Sequence, residues 1–208
     1  MQLYSYVVAR DYGFAPNPFH GVCTLATCKP NVRRVAEVGD WVVGTGGSKI
    51  KLSGRLVFAM QVSEKLTYDK YWLDQRYRLK RPNLHSSLKL AYGDNIYHRD
   101  PQSGLWLQSP SHHSLDDGSP NPANIEHDTQ TEFVLIGAKF AYWGGAGPTV
   151  PATLRQPGSD LCARRGHKKN WPPQFLEKVV SWVHGLNQWG YISQPKQFQS
   201  VKQLGHNR

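Results

Sequence analysis

Residues 41–62 read WVVGTGGSKIKLSGRLVFAMQV, and this stretch decides the fold class. Trp41–Gly46 and Arg55–Val62 are apolar runs of strand length, rich in β-branched and aromatic residues. Between them lies a polar loop, Gly46–Gly54, with glycines at both ends and two lysines, the composition of a strand-to-strand connection. The two runs therefore predict a pair of buried strands. Glu37–Asp40 before them reads as a turn, and Gln2–Ala9 as the first strand of the sheet. There Tyr4, Tyr6 and Val8 alternate with Leu3, Ser5 and Val7, which gives the strand one strongly buried face.

Outward from this nucleus, Asp11–Phe19 carries Gly13, Pro16, Asn17 and Pro18 and reads as a shaped loop. Thr24–Thr27 is expected to be a short strand, and Pro30 to open a short basic helix through Ala36. The rings of Thr67–Leu79 fall at partly helical spacing and predict a short amphipathic helix. Residues 81–124 are polar yet aromatic enough to be an ordered, loop-rich excursion over the sheet. Phe133–Ile136 and Phe140–Trp143 predict two more strands, and residues 170–188 a packed helix that begins at Pro172-Pro173. Residues 196–208 read as a loosely held tail. The expected organisation is a core domain over residues 1–150 and a basic extension over 151–208 with one helix packed on the core. The expected class is α+β, with a mixed or barrel-like sheet and flanking helices.

The 208 residues suffice for one well-cored domain, and no apolar stretch reaches the roughly 20 residues of a membrane span. The chain opens without a basic segment followed by an apolar signal core, and its 3 cysteines fit a reducing compartment, so a cytoplasmic location is expected. The formal charge of +10 points toward a polyanionic partner, DNA, RNA or a free nucleotide, because cations that meet phosphates release counterions. The excess sits at the two ends: residues 155–208 hold 9 basic and 2 acidic groups, and residues 81–154 hold 4 and 7.

Four histidines and five aspartates fall within residues 94–128, a concentration that supplies acid–base groups or partners for a polar ligand. Asp94 and His113 are the candidate general bases. For any one residue here the plainer reading is a turn held by side-chain to backbone bonds. Cys23-x4-Cys28 with Cys162-x4-His167 has the ligand types for tetrahedral zinc but not the tight two-residue knuckle, so no metal is assigned and buried free cysteines are the default. Nucleophilic catalysis by Cys23 or Cys28 needs a base that only folding could supply, from His20, His98 or His113. Gly44–Lys49 has the flavour of a phosphate loop but lacks its spacing and its following helix, and no cofactor motif is present. Rings beside cations, Tyr12 and Phe14 beside Arg10 and Trp171 beside Lys168 and Lys169, suit base stacking with phosphate contact.

Several strings are more distinctive: Gly13–Phe19, Cys23–Pro30, Val38–Gly46, Tyr92–Tyr97, and His112-His113-Ser114 through Ser119–Asn124. Over roughly residues 1–150 the chain resembles the family called nucleotide modification associated domain 2. That resemblance implies a place in prokaryotic or phage systems that modify or police nucleic-acid bases, without fixing a reaction. The Gly-Asp turn feeding paired apolar strands also looks like PUA-like domains of the EVE and ASCH groups, small barrels that bind modified bases or RNA.

The expected function is recognition of a modified base or nucleotide, in a hollow roofed by the 10–20 loop and the 94–128 excursion. Arg10, Tyr12, Phe14, Asn17, His20, Asn95, His112 and Asn121 would line it. Lys29, Arg33, Arg34, Arg164, Arg165, Lys168 and Lys169 would hold phosphates. The rivals are an enzyme acting on a base or nucleotide through Asp94 or His113, and a basic adaptor protein.

Overall fold

The computed structural model describes residues 1–162 and 166–200; Arg164, Arg165 and the end of the expected tail lie outside the described residues. In chain order the strands are β1 (Leu3–Val8), β2 (Cys23–Leu25), β3 (Trp41–Gly46), β4 (Leu56–Gln61), β5 (Glu64–Thr67), β6 (Tyr97–Arg99) and β7 (Trp106–Gln108). They continue as β8 (Phe133–Gly137), β9 (Lys139–Tyr142), β10 (Arg155–Gln156), β11 (Ser159–Asp160), β12 (His167–Lys168) and β13 (Gly190–Tyr191). The α-helices are α1 (Pro30–Val35), α2 (Tyr68–Leu73), α3 (Leu88–Ala91), α4 (Pro122–Asp128) and α5 (Phe175–Gly185).

Six strands build a mixed sheet in the order β12-β1-β3-β4-β9-β13. β1 and β3 run parallel, with Leu3 opposite Trp41 and Val8 opposite Gly46, and β3 and β4 pair antiparallel across the glycine-bounded loop. A second sheet has the order β2-β8-β5, and β6 and β7 form a hairpin in the excursion. Only Ala138 separates β8 from β9, too short a link for a hairpin, so the chain turns a corner there and enters the other sheet.

The alternation of side chains dictates the layers. Tyr4, Tyr6 and Val8 of β1 pack with Val42, Phe58 and Met60 against Cys23, Leu25 and Leu135 of the smaller sheet. Leu3, Val43 and Ala59, on the opposite face, pack against Phe175, Val179 and Val183 of α5. Val134 and Ile136 point away from Leu135 toward Tyr68, Tyr71, Tyr92 and Tyr97, so the smaller sheet carries the excursion on its outer face. With both faces of the large sheet covered and two-residue strands at its edges, burial is achieved without closure. The barrel-like expectation is thus corrected to open sheets, a mixed six-stranded one and an antiparallel three-stranded one, within an α+β fold.

Two helix expectations also change. Thr67–Leu79 is not one helix: Asp74 is extended after α2, and its carboxylate accepts the Arg76 N–H to open a separate 3-10 segment, Gln75–Lys80. The helix expected from residue 170 starts at Phe175, because Gln174 just before it is left-handed (φ 63°). Residues beyond 150 supply both edge strands of the large sheet and the helix over one of its faces. Among the described residues no helix is long and apolar enough to cross a membrane.

Candidate active site

β2 ends at Leu25, and the chain turns through Ala26–Lys29 into α1. Cys28 (φ 56°) and Lys29 (φ 44°) are both left-handed, a conformation disfavoured for residues that carry a Cβ. Tertiary bonds hold it. The Cys28 N–H donates to Asp128 Oδ1 at 2.7 Å, and the Cys28 carbonyl accepts from Arg33 Nε at 2.8 Å. A strained residue between a strand and a helix, with its side chain half-buried and reachable, is the backbone device that presents a nucleophile in α/β-hydrolases.

His113 faces that thiol. Its Nε2 lies 3.8 Å from Cys28 Sγ, and its Nδ1 lies 2.9 Å from Asp128 Oδ2. Asp128 ends α4, is fully buried, and accepts a further bond from the Tyr97 hydroxyl at 3.0 Å. The His113 carbonyl accepts from Asn124 Nδ2 at 2.8 Å, which fixes the backbone behind the ring. Burial works to lower the His113 pKa, but the bonds to Asp128 and Cys28 outweigh it and raise it to about 9. That shift favours the protonated ring beside the sulfur. Cysteine, histidine and aspartate stand in nucleophile, base and orienter geometry.

Arg33 joins the two halves of this line. Besides the Cys28 carbonyl, its guanidinium donates to the Asp128 carbonyl at 2.6 Å, the Phe133 carbonyl at 2.8 Å and the Tyr68 hydroxyl at 2.9 Å. It is fully buried with these donors engaged, so it braces the site and does not reach toward a phosphate.

A shelf of rings borders His113. Phe14 lies 4.7 Å from His113 and 5.4 Å from His112 between ring centroids. Tyr12 and Tyr92 stack at 5.3 Å and 6° and sit 4.7 and 5.1 Å from His112. Tyr12 is half-buried and His112 exposed at its edge, whereas Phe14 and Tyr92 back the shelf from within. Desolvation of its inner edge, then the charges of His113 and Arg10, lower the His112 pKa and favour the neutral ring.

The structure thus brings Tyr12, Phe14, His112 and His113 together, with Arg10 near enough for its charge to act on His112, and gives the remaining predicted residues different surroundings. Asp94 is fully buried and accepts from Thr24 Oγ1 at 2.6 Å and Tyr71 at 2.9 Å. Asn17 is buried, donates to the Tyr92 carbonyl and accepts from Lys80 Nζ at 2.8 Å. Asn95 is buried and donates to the Tyr71 carbonyl at 3.0 Å. Asn121 caps α4 by accepting from the Ala123 and Asn124 N–H groups. His20 is exposed beside a separate hollow with Lys89 and Tyr191, and Arg10 is exposed beyond the end of β1. Lys29 Nζ lies 4.9 Å over the Tyr6 ring, and Arg34 donates to the Gln130 carbonyl at 3.2 Å. Lys168 Nζ is bonded to the Asp160 carbonyl at 2.8 Å, and Lys169 is exposed. Cys162 lines a cavity with Gly46, and among the described residues no three His, Cys, Asp or Glu side chains gather as a metal-binding group.

The sequence places Asp128 and Tyr97 within the polar cluster of residues 94–128 but singles out neither, and it does not show the bracing role of Arg33. One signal for Asp128 was present: an acid closing the last turn of a well-capped helix opposes the helix dipole, and such a placement asks for a partner. Residues 1–202 match the family described as nucleotide modification associated domain 2, a name that ties the chain to nucleotide-modification systems. The match runs past the 1–150 span of the resemblance and through the basic segment. No curated protein and no solved structure matches the chain.

Proposed function

This chain belongs to the nucleotide modification associated domain 2 family, and from that premise we propose that it is a thiol enzyme acting on a base or nucleotide. The observation that carries the reading is the Cys28–His113–Asp128 line, at 3.8 and 2.9 Å. Cys28 is the nucleophile, His113 the proton carrier, and Asp128 the group that fixes the imidazole and its charge. Of the two bases expected from sequence, His113 takes the role, since both Asp94 oxygens are already engaged.

The imidazolium gives a Cys28 thiolate its counter-charge. The thiolate attacks an electrophilic carbon of the base or of its substituent; a C–S bond forms as the carbon–heteroatom bond breaks, its electron pair goes to the heteroatom, and that leaving group takes the proton from His113 and departs. Water then attacks the same carbon with His113 as base, and the C–S bond breaks to return the thiolate. The ring shelf of Tyr12, Tyr92 and His112 suits stacking of a flat heterocycle beside the sulfur, and Arg10 suits its phosphate. Recognition of a modified base, in DNA, RNA or a free nucleotide, is the binding half of this reading. A prokaryotic or phage modification system is its setting and the cytoplasm its place.

The test is to incubate wild type, Cys28→Ala and His113→Ala with modified and unmodified nucleotides and short oligonucleotides, following product and protein mass. Wild type is expected to convert one substrate class, Cys28→Ala to bind it without conversion, and His113→Ala to lose about 100-fold or more in rate. Conversion that survives Cys28→Ala sinks the thiol mechanism; retention without product in wild type leaves recognition alone.

A further inference from the structure

On the opposite face of β1 from Cys28, a cavity of about 670 Å³ is lined by Val7 and Ala9, the glycine-bounded loop Gly46–Lys49, Ser53 and Gly54, with Arg155, Asp160 and Cys162. It opens at the carboxyl ends of β1 and β3, which are neighbours and parallel, the end at which open sheets receive ligands. Its volume is in the range of small-molecule sites, roughly 300–1,000 Å³. The loop hugs the end of β1: a Cβ on Gly47 would come within 3.0 Å of Val7 Cγ1 and 3.3 Å of the Val8 carbonyl, so backbone forms that wall.

Two cations from distant parts of the chain converge here. Lys49 comes from the loop between β3 and β4, and Arg155 from the segment after β9, and both are exposed. Among the described residues Arg155 makes one side-chain bond, Nε to Asp160 Oδ1 at 3.4 Å, and Asp160 also accepts the Cys162 N–H at 2.9 Å. The Thr45 hydroxyl, fully buried on the strand that enters the loop, is a hydrogen-bond partner of the Cys162 thiol in the cavity wall. An arginine fork, a lysine, serine hydroxyls and a glycine-lined wall supply donors from several directions, which suits a tetrahedral dianion better than a planar carboxylate. The Asp160 carboxylate supplies an acceptor for a sugar hydroxyl or ring N–H of the same ligand.

We infer that this cavity is a second ligand site, which takes a small phosphate monoester of mononucleotide size, with Lys49 and Arg155 holding the phosphate. The site is separate from the thiol line and stands whether or not Cys28 is a nucleophile.

Cys162 in the wall makes the test direct. In a Cys28→Ser background, Cys23 is fully buried with its thiol pushed up to about 12, so iodoacetamide at mildly alkaline pH reports on Cys162. Labelling is followed by mass spectrometry of the Cys162 peptide against four probes: deoxynucleoside 5′-monophosphates, inorganic phosphate, deoxyadenosine, and a short single-stranded oligonucleotide. Monophosphates are expected to slow Cys162 labelling at least tenfold at saturation, and deoxyadenosine to leave it unchanged. Lys49→Ala and Arg155→Gln, both surface changes, are expected to raise the protecting concentration about tenfold each. Absence of protection, equal protection by deoxyadenosine, or protection indifferent to both substitutions overturns the proposal. Stronger protection by the oligonucleotide than by any monophosphate overturns it in favour of a polymer.

Discussion

Asp94 and Asp128 are both buried without solvent exposure and both come from the same excursion, yet their surroundings use the charge differently. Around Asp94 every neighbour is interior: Thr24 and Tyr71 donate to it, and buried Lys80 stands near enough for each charge to shift the other's pKa. Lys80 itself donates to Asn17 Oδ1 and to the Asn17 and Val22 carbonyls at 2.8 to 2.9 Å. Around Asp128 the chain of bonds runs outward through His113 to a half-buried thiol. A buried carboxylate therefore marks chemistry only when its network ends on a group that substrate can reach.

The largest break in this comparison comes from Asp94→Ala. It leaves Lys80 with no nearby carboxylate and Tyr71 without an acceptor, and the expected loss is about 3–5 kcal/mol in urea unfolding. The fraction still folded should alkylate at Cys28 within twofold of wild type. Loss of Cys28 reactivity in that folded fraction would mean that the two centres are not separate.

Asp128→Asn inverts the pattern. It keeps the shape and one acceptor oxygen, so the stability loss should be about 1–2 kcal/mol. Cys28 alkylation near pH 7 should slow by about 10-fold or more, because the imidazolium loses its counter-charge. An unchanged rate would demote Asp128 to packing.

Alkaline titration sharpens the contrast through its sign. His113 holds its proton more tightly folded than unfolded, so its stabilisation is fully present below 6.5 and is lost as pH rises through about 9. The advantage of wild type over His113→Ala should shrink across that window by about 3 kcal/mol. Burial of Lys80 lowers its pKa, opposed by Asp94 and Cys23, so the unfolded chain holds that proton more tightly. Its contribution therefore grows as pH climbs toward 10.5. Urea unfolding as a function of pH for wild type and His113→Ala reads both signs, and a gap that widens with pH would refute the His113 assignment.

The smallest expected effect is at Asn121, which caps the helix that carries Asp128. Asn121→Ala should cost about 1 kcal/mol and leave Cys28 alkylation nearly unchanged. A large drop in reactivity would show that α4 must be held to within a fraction of its position for the line to work.

Much of the scaffold was legible because it rests on local patterns. Alternation along Leu3–Val8, the apolar runs at Trp41–Gly46 and Leu56–Gln61, and Pro30 at the start of α1 all describe neighbours in sequence. The site was legible only in pieces. Tyr12, Phe14, His112 and His113 stood among the chosen residues because rings and histidines in polar loops are distinctive. Arg33 reads as a phosphate contact in a basic run, and nothing near it in sequence shows that it donates to the Phe133 and Asp128 carbonyls 100 and 95 residues away.

The sequence by itself determined an α+β chain with a basic surplus, a buried strand pair and a family membership. These depend on composition, periodicity and long local strings, which no tertiary contact alters. Only the tertiary structure decided which of 9 histidines meets which of 3 cysteines. The Cys28–His113 contact spans 85 residues and depends on the stacking of two sheets and on the register of the excursion across them. That register is set by the combined burial of many side chains, a quantity that no single residue carries.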